Sequence, residues 1–219
     1  MALRTEIQRP ILGLLMGFGA GTLISALAFE LTEEAFALGG ADTVAAGLGA
    51  GALAYFVGDR MLDRRGASGR MRTDVDSSDS AGMALLLGAV LDGIPESAVI
   101  GITVLEGQVS VPMLAAVFLS NLPESVSSVA SMRGQDHGQV LRRWLLVTLA
   151  CAIAAGLGYG LLDGASGDLV GFIEAFAGGA VLMTVADAML PEARELGGKA
   201  VGLATTLGFA LAYLLSTLE

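Results

Sequence analysis

Leu91 to Ser97 reads LDGIPES, and Leu119 to Ser125 reads LSNLPES. Four of the seven positions coincide, and both stretches lie inside long apolar segments. A proline within a helix removes one backbone hydrogen bond and pushes away the carbonyl four residues back. A carboxylate at the centre of a bilayer costs about 2.5–3.5 kcal/mol even on the forgiving insertion scale. Two such Pro-Glu-Ser insertions at matching positions are therefore read as a built feature of membrane helices. In a water-soluble domain, apolar runs of this length without turn signals have no place.

Working outward, apolar stretches of the roughly 20 residues needed to cross a bilayer recur along the chain. Seven spans are expected, at 10–30, 35–57, 81–105, 109–132, 144–162, 169–190 and 197–218, with one long polar loop at 59–80. The fold class is an all-α polytopic transmembrane helix bundle, formed as a single domain over 1–219. Only 16% of the 219 residues are charged, against about 25% in soluble chains. The 31 glycines, with many Ala and Ser, let helix backbones approach closely in lipid. With the N-terminus inside and the spans alternating, all 12 basic residues, from Arg4 to Lys199, fall on inner segments. This is the bias that sets topology in membranes, and it predicts a multi-pass cell-membrane protein with a cytoplasmic 59–80 loop and the C-terminus outside. A cleaved leader ending near Ala26-Leu27-Ala28 would spoil that segregation.

A second echo pairs Gly17 to Ala35, GFGAGTLISALAFELTEEA, with Ala175 to Ala193, AFAGGAVLMTVADAMLPEA. In the seven-span topology both echoes join spans of opposite direction. Inverted repeats with interrupted helices at matching positions point to a transporter site near the midplane.

The chemistry concentrates at the motif pair. Asp92 and Glu96 stack one turn apart on one helix face, and Ser120 and Glu124 hold the equivalent positions of the next span, with Asn121 beside them. Pro95 and Pro123 free the carbonyls of Leu91 and Leu119. Carboxylates, an amide, a hydroxyl and carbonyls make an all-oxygen set suited to hard or borderline divalent ions, so the expected metal ligands are Asp92, Glu96, Ser120, Asn121 and Glu124. No Lys or Arg lies at that depth to neutralise the acids. The bland alternative is a pair of kinked packing helices with protonated acids.

The net charge of −10 argues against nucleic acid as a partner. The single cysteine, Cys151, rules out an intrachain disulfide framework, and the single histidine, His137, sits in a polar loop. Asp187, deep in the sixth span, is a lesser pathway candidate. Glu30 and Glu174, near outer span ends, are expected to be solvated at the interface. The methionines read as packing filler. No nucleophile–base set or organic cofactor motif is present, so no enzyme activity is expected.

The pattern resembles the ZIP family of zinc- and iron-transporting membrane proteins. In that family the fourth helix carries H-N-x-P-E-G and the fifth H-E-x-P-H-E or a variant such as Q-D-x-P-E-G. The corresponding residues are Asp92-Gly93-Ile94-Pro95-Glu96-Ser97 and Ser120-Asn121-Leu122-Pro123-Glu124-Ser125. AFELTEEA resembles the close of the family's second helix and MLPEA the close of its seventh. The family's first helix has no counterpart, and Asp92, Gly93 and Ser120 stand where the motifs carry His, Asn, and His or Gln. The fifth span lacks the acid that some relatives place there. The resemblance implies a metal site between the two motif helices and influx toward the cytoplasm. With the histidines replaced, Mn²⁺, Fe²⁺ or Mg²⁺ fit the oxygen ligands better, although Zn²⁺ also accepts carboxylates.

The expected function is divalent metal transport in a lipid bilayer, with the metal ion (Zn, Mn, Fe or similar) as substrate and with a homodimer as a candidate assembly. Two other readings stand beside it. In one the acids cycle protons to drive a small solute, and in the other the chain is a non-transporting metal sensor or membrane scaffold.

Overall fold

The computed structural model describes residues 8–62, 93, 94, 96–98, 100, 101, 104, 111–132, 136–162 and 164–217. Among these the regular structure is helical throughout and contains no strand. Among the described residues three stretches are long and apolar enough to cross a membrane: Arg9–Met61, His137–Gly160 and Gly167–Ser216. The chain is a helical membrane protein.

Helix α1 (Arg9–Ala26) opens with Pro10 in its first turn, where the missing N–H would have had no intrahelical partner. It runs into a wide turn at Leu27–Leu31 and on into α2 (Thr32–Leu62). The wide turn closes five residues back, the Thr32 backbone N–H bonding to the Leu27 carbonyl. The Thr32 hydroxyl donates to that same carbonyl at 2.7 Å. Such one-residue expansions of a helix cluster at functional sites. The LTEEA segment is therefore helical, and the helix, as distinct from the apolar span, continues as far as Gly39.

At Gly40 the backbone takes φ 72°, a left-handed value that glycine adopts without steric cost. The chain reverses there, and α2 resumes on the other side. Helix α3 (Val111–Ser131) carries the second Pro-Glu-Ser motif. Helix α4 (His137–Leu162) follows, its start capped by Asp136, which accepts from the Gln139 amide at 3.0 Å. Ser166 caps α5 (Gly167–Thr184) by accepting from the Leu169 amide. A second wide turn at Val185–Met189 leads to α6 (Leu190–Gly197). Pro191 follows that turn and cannot donate a backbone hydrogen bond. Gly198, at φ 64°, reverses the chain into a short tight turn, Gly198–Ala200, and α7 (Val201–Ser216).

The two halves are built alike. The same spacing of 158 residues separates Leu27 from Val185 and Gly40 from Gly198. Each copy is a helix, a wide turn, a further stretch of helix, a glycine reversal and a closing helix. The copies also exchange partners. Helix α1 lies along α7, with Gly21 against the Thr205 carbonyl and Gly208 against the Phe18 carbonyl. Helix α5 lies along the second half of α2, with Gly179 against the Leu48 carbonyl and Gly51 against the Phe176 carbonyl. Phe18 and Phe176 share the 158-residue spacing, so the same close approach occurs twice. Between the copies the long rods run antiparallel: Gly13 meets Ala193, while Leu27 and Leu31 meet Gly178. The buried core forms along this crossing, from Leu12, Met16, Ala20 and Leu23 to Val181, Val185 and Met189.

Candidate functional site

The described residues of the third span, Gly93, Ile94, Glu96 to Ala98, Ile100, Gly101 and Val104, are helical. They pack against α4 through small residues. Gly101 meets the Ala155 carbonyl, Gly158 meets the Ala98 carbonyl, and a Cβ at Gly93 would stand 2.9 Å from the Cys151 sulfur. This interlock fixes which face of the motif helix remains for α3.

On that face Glu96 is buried, at 4% exposure. Its Oε2 accepts a hydrogen bond from Asn121 Nδ2 of α3 at 2.7 Å. The same Asn121 nitrogen donates to the Val117 carbonyl at 2.8 Å. Both neighbours are acceptors, so the amide orientation follows from the chemistry. With its two N–H groups committed, Asn121 turns its remaining polar atom, the acceptor Oδ1, away from them. A buried carboxylate and a side-chain amide from two different helices thus meet through a charge-assisted hydrogen bond.

Ser120 is buried, at 2% exposure, and its hydroxyl donates to the Val117 carbonyl at 2.9 Å. Its backbone faces α1, since a Cβ at Gly19 would meet Ser120 Cα at 2.8 Å and the Leu119 carbonyl at 2.9 Å. Leu119 is the residue whose carbonyl loses its helical partner to Pro123. Ser125, beyond the proline, donates its hydroxyl to the Asn121 carbonyl at 2.6 Å. Glu96 and Asn121 are thus the two expected ligands that the structure joins, while Ser120 sits on the same turn of α3, backed by α1. Asp92 and Pro95 lie outside the described residues. Pro123 and Glu124 belong to α3, but their side chains lie outside what is described. Among the described residues no group of three or more His, Cys, Asp and Glu side chains is placed to hold a metal ion.

Elsewhere the structure corrects one expectation. Glu174 is not solvated at an interface but is buried, at 1% exposure, on the side of α5 that meets the first copy. Glu30 is half-buried, and Asp187 is exposed, on the outside of the second wide turn. Sequence reasoning misses two buried hydroxyls on α1, those of Thr22 and Ser25. A signal for them exists, because Gly19, Thr22 and Ser25 recur every three residues along one side of an otherwise apolar helix.

No family model matches the chain. Over 220 residues it is 25% identical to a protein of Arabidopsis thaliana named "Putative zinc transporter", and the match covers 97% of this chain. The chain spans 35% of the length of that relative.

Proposed function

We propose that the protein is a divalent metal cation transporter of the ZIP type, with the ion as substrate held by oxygen ligands between the third span and α3. The observation that carries this reading is the buried 2.7 Å contact between Glu96 and Asn121, which joins the two Pro-Glu-Ser helices through an acid. Intramembrane acids mark ion pathways by default, and the likeness to a protein named for zinc transport favours a metal as the cargo. By sequence spacing alone Asp92 would share the Glu96 face of a helix and Glu124 would follow Ser120 by one turn, and these would complete the ligand set. The binding chemistry is that of a mobile substrate ion: oxygen ligands, few in number, weak enough to release.

The same proposal has seven spans alternating in direction, with the N-terminus cytoplasmic and net movement toward the cytoplasm. The pairing directions support the alternation. Helices α1 and α7 run parallel, as two odd-numbered spans should, and α1 meets α3 antiparallel, Gly19 lying against Ser120 and Thr22 near Ala116. The antiparallel crossing of the two copies supports an inverted repeat, the architecture in which one copy rocks against the other around a central site. Homodimerisation belongs to the same proposal.

The test is uptake of Zn²⁺, Mn²⁺, Fe²⁺ and Co²⁺ into proteoliposomes, with the double variant Glu96→Gln/Glu124→Gln reconstituted at equal density. Uptake by wild type and none by the variant is the expected result. Equal uptake by both would remove these acids from the pathway.

A further inference from the structure

The two copies differ where they meet the rest of the molecule. Helix α1 presents Gly19, Thr22 and Ser25, and the residues 158 positions on, Ala177, Ala180 and Met183, present only apolar groups. Thr22 and Ala180 are both buried, at 1% and 4% exposure. Packing within the repeat is therefore satisfied by alanine at this position, and the fold itself has no need of a hydroxyl there. At this position α1 also meets the motif helix α3.

At that contact the Thr22 hydroxyl donates to the Gly19 carbonyl of its own helix at 2.7 Å and lies 3.5 Å from the Ala116 carbonyl of α3. The one hydroxyl hydrogen serves both carbonyls, with the shorter bond to Gly19 and the longer to Ala116. Ala116 is four residues before Ser120, so its carbonyl is the helical acceptor for the Ser120 amide. The neighbouring carbonyl, Val117, accepts from both Ser120 Oγ and Asn121 Nδ2. One turn on, Pro123 leaves the Leu119 carbonyl without its amide partner, and Gly19 closes against that carbonyl. The turn of α3 that carries Ser120 and Asn121 is thus weakened by its own proline and supported from the side by α1.

We infer that Thr22 is a positioning residue for the metal site: through the Ala116 carbonyl, and with Gly19 against Leu119 and Ser120, it sets the height and rotation of the Asn121 amide that faces Glu96. This inference rests on the transport reading for what the site binds. It does not place Thr22 in contact with the ion.

The decisive variant is Thr22→Ala, which gives α1 the residue that α5 already carries, so loss of fold is not the expected outcome. Thr22→Ser restores the hydroxyl. Thr205→Val is the control, because the Thr205 hydroxyl bonds within α7 at 3.0 Å and abuts α1 at Gly17, on contacts that do not involve α3. Zinc uptake and the zinc-dependent rise in melting temperature are both measured on each purified protein. In Thr22→Ala the KM for uptake and the midpoint zinc concentration for stabilisation should both rise about tenfold, the lower end of the effect of removing an outer support of a metal ligand. Thr22→Ser should fall within about twofold of wild type and Thr205→Val should match it. Unchanged KM and midpoint in Thr22→Ala would overturn the inference, as would a Thr22→Ser variant no better than Thr22→Ala. If wild type takes up no metal, the transport reading fails by itself, and the zinc midpoint alone then decides. A wild type that zinc does not stabilise overturns both.

Discussion

The two copies of the repeat share a backbone and differ in chemistry. Each has a wide turn, a glycine reversal 158 residues from its counterpart, and a phenylalanine carbonyl closed upon by a glycine. Yet the wide turn of the first copy is held by the Thr32 hydroxyl, while that of the second is followed by Pro191. The first copy buries Thr22, which reaches α3, and Ser25, and the second buries Glu174 at the position where the first has Met16. Backbone geometry is what the two must share to cross each other. Each copy lies along the closing helix of the other, and at Thr22 the first also meets the motif helix α3.

That contrast can be tested from its largest consequence downward. Glu96→Gln keeps an acceptor for Asn121 but removes the charge, and metal uptake should fall by more than about 100-fold, beyond the range seen for outer supports of metal ligands. Uptake within a few-fold of wild type would detach the motif helices from transport. Gly21→Ala and Gly179→Ala place a Cβ against a backbone carbonyl in each copy. Both should lower stability by about 1–3 kcal/mol, the usual cost of overpacking, and by similar amounts in thermal unfolding. A large effect in one and none in the other would break the equivalence of the copies.

Effects of similar or smaller size belong to the glycine reversals. A Cβ added at Gly40 or Gly198 would have open space around it, with nothing within 4 Å. Alanine there meets the strain of a positive-φ, extended-ψ backbone that is nearly confined to glycine, about 1–3 kcal/mol each. Equal losses at the two sites are expected by the same measurement. Smallest is Thr32→Val, which removes one hydroxyl bond from the first wide turn, worth about 1 kcal/mol. Leu190 holds the equivalent place after the second turn and carries no hydroxyl, so Leu190→Val should not cost that bond, and an equal loss at both positions would show that the hydroxyl is not what holds the first turn.

Much of this is legible in the residues. Pro-Glu-Ser in two apolar segments predicts polar membrane helices, and Glu96 and Asn121 lie together as the motif spacing implies. Two of the residues that Gly17–Ala35 shares with Ala175–Ala193, Phe18 with Phe176 and Gly21 with Gly179, are those at the close helix approaches. The wide turns are not legible. One extra residue per turn leaves the apolar pattern almost unchanged, and the backbone bonds from Thr32 to Leu27 and from Leu190 to Val185 reveal the two turns. Thr22 gives no signal by itself, because a hydroxyl in a membrane helix ordinarily bonds back to its own backbone, as Thr184 and Thr205 do, and only the neighbouring helix gives it a further role. Glu174 departs from its expected place because distance along a span gives depth in the bilayer and says nothing of whether a side chain faces lipid, water or another helix.

The central claim, a metal held by oxygen ligands around Glu96 and Asn121, is tested most directly by X-ray absorption at the zinc edge on the purified protein loaded with one Zn²⁺. A first shell of oxygen at about 2.0–2.2 Å is expected, with no sulfur at about 2.3 Å and no imidazole signature. That shell should be absent in Glu96→Gln at the same zinc concentration. A sulfur scatterer would bring Cys151, beside Gly93, into the site and contradict the oxygen set, and an unchanged shell in Glu96→Gln would place the metal elsewhere.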